Sequence, residues 1–273
     1  MIHHVIEGTR VPALGFGTFR MAGEECRAGV ADALAIGYRH IDTAQGYDNE
    51  KQVGEALARS GVEREEIFLV TKLRPRNFRE SDALSSTEES LSKLRTDYVD
   101  LLLLHWPNPE VPLAETLDAL RKLQETGRVR HIGVSNFPSK LVREAQEHVD
   151  VFANQVEYHP YLSQKALLEL SAELGYLLTA YSPIAKGKVS EDDTLRAIGK
   201  EHGKSPVQVT LRWLIQQQRV AAIPKASSDE HRRSNFDIFD FELSASEMMR
   251  ISSLGSPDGR LVNPEGAPDW DAD

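Results

Sequence analysis

The sequence predicts a closed α/β barrel, the (β/α)8 or TIM barrel, with an N-terminal β-hairpin at the barrel bottom and extra helices near the C-terminus. Three observations predict it. The length, 273 residues, suits one closed barrel better than two small domains, so residues 1–273 are expected to form a single domain. Eight short β-rich apolar runs recur along the chain, and helix-length amphipathic stretches separate them. Strand and helix alternating in this way give parallel pairing through right-handed crossovers.

The runs are LGFGT (14–18), YRHIDTA (38–44), IFLVTKL (67–73), VDLLLLHW (99–106), HIGVSNF (131–137), FANQVEY (152–158), LLTAYSP (177–183) and AAIPKA (221–226). Ahead of them, VIEGTRVP reads as a hairpin, with Glu7-Gly8 as its tight turn. Between the first two runs, CRAGVADALAIG places Val30 and Leu34 at helical spacing and stops at Gly37; SSTEESLSKLRT and LAETLDALRKLQETG show the same period. The segment from Ser190 to Gln218 is too long for one helix. Ser205-Pro206 reads as an N-cap followed by proline at the first helical position, so a second helix should start there. The ending SPDGRLVNPEGAPDWDAD, rich in Pro, Gly and Asp, reads as an irregular tail lying over the barrel.

Lys and Arg total 32 against 42 Asp and Glu, a formal charge of -10, and the basic residues are scattered. This argues against a nucleic-acid or anionic-membrane partner. A lone cysteine, Cys26, excludes an intrachain disulfide and suits a reducing compartment. The N-terminus has neither a basic n-region nor an apolar h-region, and no apolar run approaches a membrane span. The expectation is a cytoplasmic monomer.

In such barrels the chemistry is built at the C-terminal strand ends and the loops that follow them. Asp42 ends the second run, Lys72 the third and His105 the fourth, and Tyr47 stands in the loop after the second. Each has a plainer reading alone: a turn acid, a snorkelling lysine, a packed histidine, a packing tyrosine. Only a functional reading requires all four on one rim. Together they compose a proton donor for a carbonyl. A free phenol, with a pKa of about 10, donates poorly at neutral pH. An ammonium beside it should lower that pKa, and a carboxylate should keep the ammonium charged. His105 would hydrogen-bond the carbonyl oxygen. With no protein nucleophile in evidence, the natural partner for the carbonyl carbon is a hydride.

At this point the sequence closely resembles the aldo-keto reductases. The matches are GFGTF (15–19), IDTAQGYDNE (41–50), TK (71–72), LLLLHWP (101–107), GVSNF (133–137), NQVEYHPY (154–161), AYSP (180–183) and IPKAS (223–227), in the family's order. RLVNPEG and the acidic, Trp-containing tail look most like the prokaryotic branch that reduces 2,5-diketo-D-gluconate, particularly the type associated with methylglyoxal. The resemblance implies NAD(P)H-dependent reduction of aldehydes and ketones, with Tyr47 as the proton donor. It implies that Ser135, Asn136 and Gln155 bind the nicotinamide carboxamide and that Tyr181 stacks on the ring. It further implies that Ser182, with Pro183 and Ile184, approaches the pyrophosphate, and that Gly17, Thr18 and Asp42 border the cofactor. Lys225, Ala226, Ser227, Ser228, His231 and Asn235 would hold the adenosine end. Phosphate binding there is physically reasonable as well, since Ser228 can cap a helix whose N-terminus attracts anions.

The stretch KASSDEH departs from NADPH-specific relatives, which usually place arginines here. Asp229 and Glu230 add repulsion, and a neutral His231 is a weaker phosphate partner than arginine's fork. Arg232 would compensate if it turned inward. NADPH is still the expected cofactor because Lys225 persists, with NADH usable as well. GFGTFR is no dinucleotide fingerprint, since Arg20 stands where the third glycine belongs.

On the substrate side, Phe19, Tyr47, His105 and Trp106 should line the pocket with the LRPRNF loop, whose Arg74 and Arg76 suit an acidic sugar unless they are merely solvated. No metal is expected. Two competing readings are a metal-dependent hydrolase using His40, Asp42 and His105, which leaves Tyr47 and Lys72 unexplained, and a redox-sensing subunit that holds cofactor with little turnover.

Overall fold

The computed structural model describes residues 1–272. The chain opens with a hairpin of β1 (His3–Ile6) and β2 (Thr9–Pro12), turning at Glu7 and Gly8, both with positive φ. A parallel sheet follows, strand by strand: β3 (Phe16–Gly17), β4 (His40–Asp42), β5 (Phe68–Leu73), β6 (Val99–Leu104), β7 (Val129–Ser135), β8 (Ala153–Glu157), β9 (Leu177–Tyr181) and β10 (Val220–Ala222). Each pairs in parallel with the next in sequence. The first and last strands then meet. Ala222 donates to Ala13 O and Gly15 donates to Ala222 O, both at 2.8 Å, and Gly17 donates to Pro224 O at 3.1 Å, which closes the barrel.

The helices between the strands are α1 (Gly23–Ile36), α2 (Glu50–Arg59), α3 (Glu80–Leu94), α4 (Leu113–Glu125), α5 (Ser139–Gln146) and α6 (Lys165–Leu174). After β9 come α7 (Asp193–His202) and α8 (Pro206–Gln216), and after β10 come α9 (Asp229–Phe236) and α10 (Ala245–Ser252). The break before α8 falls where Ser205-Pro206 predicts it. Ser205 Oγ accepts from Gln208 N while Gln208 Oε1 accepts from Ser205 N, a complete capping box.

The two-residue period of the strands sorts their side chains. Phe68 and Val70 of β5, Leu101 and Leu103 of β6, Ala153 and Leu177 pack inside the barrel with Ile6 and Val11 of the hairpin. The hairpin is therefore a plug at the N-terminal strand ends, held there by His4 Nε2 to Val220 O (2.8 Å) and Thr9 Oγ1 to His131 Nε2 (3.0 Å). Continuing the same inward rows one step toward the other rim gives Asp42 above His40, Lys72 above Val70, and His105 above Leu103. The expected barrel-bottom hairpin and C-terminal helices are both found.

The tail crosses that upper rim. Glu157, fully buried at the end of β8, accepts from Leu261 N (2.8 Å), Val262 N (2.9 Å) and His159 Nε2 (3.0 Å). Further on, Asp271 accepts from the backbone and hydroxyl of Ser139 at the start of α5.

Candidate active site

Lys72 occupies the centre of the upper rim with no solvent exposure. Its ammonium donates to Asp42 Oδ1 at 2.6 Å, to Thr43 O at 2.9 Å and to the Tyr47 hydroxyl at 3.2 Å. Asp42 is itself 1% exposed, and its second oxygen accepts from Gln155 Nε2 at 2.7 Å. Tyr47 closes a single turn of 3-10 helix, Gln45–Tyr47, and its ring lies edge-on to His105 with centroids 5.7 Å apart. The four residues expected to share a rim do so.

The electrostatics correct one expectation. Lys72 does not bring the phenol down: burial, reinforced by the Asp42 carboxylate, holds Tyr47 well above its ordinary pKa. Desolvation of the phenolate outweighs the ammonium at 3.2 Å, whose field Asp42 partly offsets. The phenol is thus protonated throughout the neutral range, the form a donor needs. Burial also lowers Lys72, opposed by Asp42. His105 is pushed down to about 3 by burial and by the nearby Lys72 and Arg74 cations, so its ring is neutral.

The residues expected at the nicotinamide form one hydrogen-bonded chain with this cluster. Tyr181 donates to Asn136 Oδ1 at 2.7 Å, and Asn136 Nδ2 donates to His105 O (3.0 Å) and Ser135 Oγ (3.1 Å). Ser135 Oγ donates to Gln155 O at 2.8 Å, and Gln155 reaches Asp42. Asn136 holds this position with a φ of +63°, a left-handed conformation that asparagine tolerates. Gly17 lies where a Cβ would stand 2.8 Å from Ile223 O, and Thr18 Oγ1 donates to Asp42 O at 2.9 Å. After β9, Ser182 also has positive φ, beside Pro183 and Ile184.

At the other end, Ser228 caps α9 through His231 N, and Lys225 contacts Ser227 Oγ and pairs with Glu25 at 3.6 Å. Ala226 and Asn235 are buried, and Ser227, Ser228 and His231 are exposed. Arg232 does turn inward, but its Nε is bound to Asp32 at 2.5 Å and its Nη1 to the Ala226 and Ser227 carbonyls. Those bonds fasten the loop to α1, so Arg232 does not replace the missing arginines.

Phe19, 54% exposed, lies over the mouth with its ring 5.1 Å from Tyr47. Trp106 meets Trp270 of the tail edge-on at 6.2 Å, and the Arg260 guanidinium stands 3.6 Å above Trp270. The tail's share in this wall carries no sequence signal beyond a Trp in an irregular stretch. The link from Gln155 to Asp42 was also not readable, because it joins strands across the barrel interior.

The competing metal set does not assemble. Asp42 is engaged by Lys72 and Gln155, and His40 sits a layer below with Nδ1 3.1 Å from Pro12 O. Among the described residues no group of three His, Cys, Asp or Glu is placed to hold an ion.

Residues 13–256 match the Aldo/keto reductase family model. The chain belongs to the aldo-keto reductase family. It is 40% identical over 267 residues to methylglyoxal reductase DkgB of Escherichia coli O157:H7, covering 96% of this chain and 99% of that one. Among solved structures it is similar to a provisionally assigned 2,5-diketo-D-gluconic acid reductase B, at 49% identity and a TM-score of 0.97, covering 100% and 98% of the two chains. It is likewise similar to an aldo-keto reductase of Bombyx mori in complex with NADP, at 32% identity and a TM-score of 0.90, covering 98% and 97%. As an aldo-keto reductase the chain is an oxidoreductase that reduces small carbonyl compounds with a nicotinamide cofactor. No helix among the described residues is long and apolar enough to cross a membrane.

Proposed function

We propose that this aldo-keto reductase reduces small aldehydes and ketones, methylglyoxal and 2,5-diketo-D-gluconate among them, with NADPH as preferred cofactor. The observation that carries the reading is one ammonium within hydrogen-bond reach of both a buried carboxylate and a phenol, beside a neutral imidazole. A bound nicotinamide supplies the hydride for the carbonyl carbon. Tyr47 gives its proton to the carbonyl oxygen as charge develops there, and Lys72 balances the phenolate left behind. His105 orients the carbonyl oxygen and adds a donor to it. Ser135, Asn136, Gln155 and Tyr181 would hold the nicotinamide, with Gly17 and Thr18 alongside, and Ser182, Pro183 and Ile184 would hold the pyrophosphate.

Lys225, Ala226, Ser227, Ser228, His231 and Asn235 are the candidates for the adenosine end. Exposed hydroxyls, one lysine and the N-terminus of α9 suit a phosphate, yet the inward arginine, Arg232, is already engaged by Asp32. Cofactor discrimination is therefore modest. Assays of a carbonyl panel with NADPH and with NADH test the reading: turnover with both is expected. An NADPH preference above about a thousandfold, roughly 4 kcal/mol, would defeat the modest discrimination. Slow or absent NADPH oxidation across the panel would instead favour a cofactor-holding subunit. We further read the protein as a single-domain monomer in the cytoplasm, the compartment being supported by its lone, buried Cys26. Its native mass by light scattering checks the monomer.

A further inference from the structure

One donor beside the catalytic cluster has no acceptor. Arg74 follows β5 directly, and its backbone N–H donates to Gln45 Oε1 at 3.0 Å. Gln45 is in turn anchored on Ser86 O (3.2 Å) and Ser90 Oγ (3.1 Å), so the base of the Arg74 side chain is fixed. The guanidinium tip meets Asp48, Nη2 to Oδ1, at 2.5 Å. Nε, however, is shut off from solvent and has no hydrogen-bond partner. An unmatched buried N–H is unfavourable, and native structures leave few of them without a reason.

That N–H and the His105 ring both lie close over the backbone of Gly46. A methyl group built there would stand 3.3 Å from His105 Cε1, 3.4 Å from His105 Nδ1 and 3.9 Å from Arg74 Nε. Guanidinium and imidazole thus pack side by side over Gly46, whose lack of a side chain lets both approach its backbone. The Asp48 carboxylate is a weak guard, since its side chain is 82% exposed and the pair is screened by solvent.

We propose that Arg74 sets substrate preference by presenting Nε–H to an anionic group, so that carbonyl compounds bearing a carboxylate close to the reacting carbonyl are favoured over neutral ones. This rests on the carbonyl-reductase reading above. A carboxylate suits the Nε and Nη2 edge of the planar guanidinium, and it takes both donors once Asp48 swings into solvent. Asp48 is then a resident competitor rather than a ligand.

The test compares 4-oxobutanoate with butanal, aldehydes of equal chain length that differ in the carboxylate. The readout is the ratio of their kcat/KM values, which general damage to the fold would leave in place. Arg74→Gln should lower that ratio by about tenfold to a hundredfold, mainly by raising KM for the carboxylate-bearing aldehyde, and Arg74→Lys should restore only part of it. Asp48→Asn should raise the ratio. A ratio unchanged by Arg74→Gln overturns the proposal. Calorimetric titration of butanoate into the protein with NADP present reads the same contact without turnover. Weaker binding in Arg74→Gln supports the proposal and equal binding overturns it, whereas a wild-type protein that turns over neither aldehyde defeats only the reductase reading.

Discussion

Lys72 is an ammonium with no solvent exposure, and three oxygens make that tolerable: Asp42 Oδ1, Thr43 O and Tyr47 Oη. Replacing it by methionine leaves Asp42 buried with Gln155 alone, an arrangement that costs about 3–5 kcal/mol when one partner of a buried pair is lost. The same change removes the charge proposed to balance a tyrosinate. Lys72→Met is therefore expected to lower both the melting temperature and kcat, the latter by about 10²–10⁴-fold. A variant with near-normal kcat would remove Lys72 from the proton-transfer step. His105 makes a separate prediction. Because burial, Lys72 and Arg74 depress it to about 3, the ring stays neutral across the physiological range. The pH profile of kcat/KM should show no limb near pH 6.5; one assignable to His105 by its loss in His105→Gln would contradict a neutral ring. These residues were legible in the sequence because each is a titratable group at a strand end or in the next loop. Their couplings were not. Gln155 and Asp42 are separated by 113 positions and meet only because the barrel closes on itself.

At the scale of elements, the strand runs were readable from composition, and the small corrections have physical causes. The run LGFGT yields a strand of only two residues, β3, because it completes the barrel seam, where Gly15 and Gly17 donate to Ala222 O and Pro224 O. A side chain at Gly17 would collide with the Ile223 carbonyl. Helix starts with a polar cap were readable too. Ser205→Ala breaks the capping box of α8 and should cost about 1 kcal/mol, measured as a shift in the denaturant midpoint. An unshifted midpoint would mean that tertiary packing alone sets that helix end. Helix crossings leave no such signature. In α2, Gly54 lies where a Cβ would stand 2.3 Å from Lys93 O and 2.6 Å from Leu94 C of α3. Since that obstacle is backbone, Gly54→Ala must separate the two helices. It is expected to destabilise by about 1–3 kcal/mol despite alanine's better helix propensity. A neutral or stabilising outcome in chemical denaturation would show that α2 and α3 yield freely.

For the whole molecule, buried histidines couple folding to pH. Burial lowers His4, His40, His105 and His131, and to a lesser depth His3. The unfolded chain takes up protons near pH 6.5 that the folded one refuses. Their stabilisation is therefore complete above about pH 6.5 and is lost as pH falls toward the folded values, at up to about 1.4 kcal/mol per pH unit for a ring such as His105. Glu50 and Glu7, raised by burial, act in the opposite sense over part of that window. With more histidines than such acids, the urea midpoint should drop between pH 7 and pH 5, and a rise would contradict this balance. The same closed barrel brings inward rows from separate strands to one rim, so the site was legible as a set of residues before it was legible as a geometry. The role proposed for this rim is donation of a proton from Tyr47 to a carbonyl. Its most direct test is Tyr47→Phe, with steady-state methylglyoxal reduction measured alongside NADPH binding. The kcat should fall about 10²–10⁴-fold with cofactor affinity nearly unchanged; a variant that retained most of its kcat would remove Tyr47 as the proton donor.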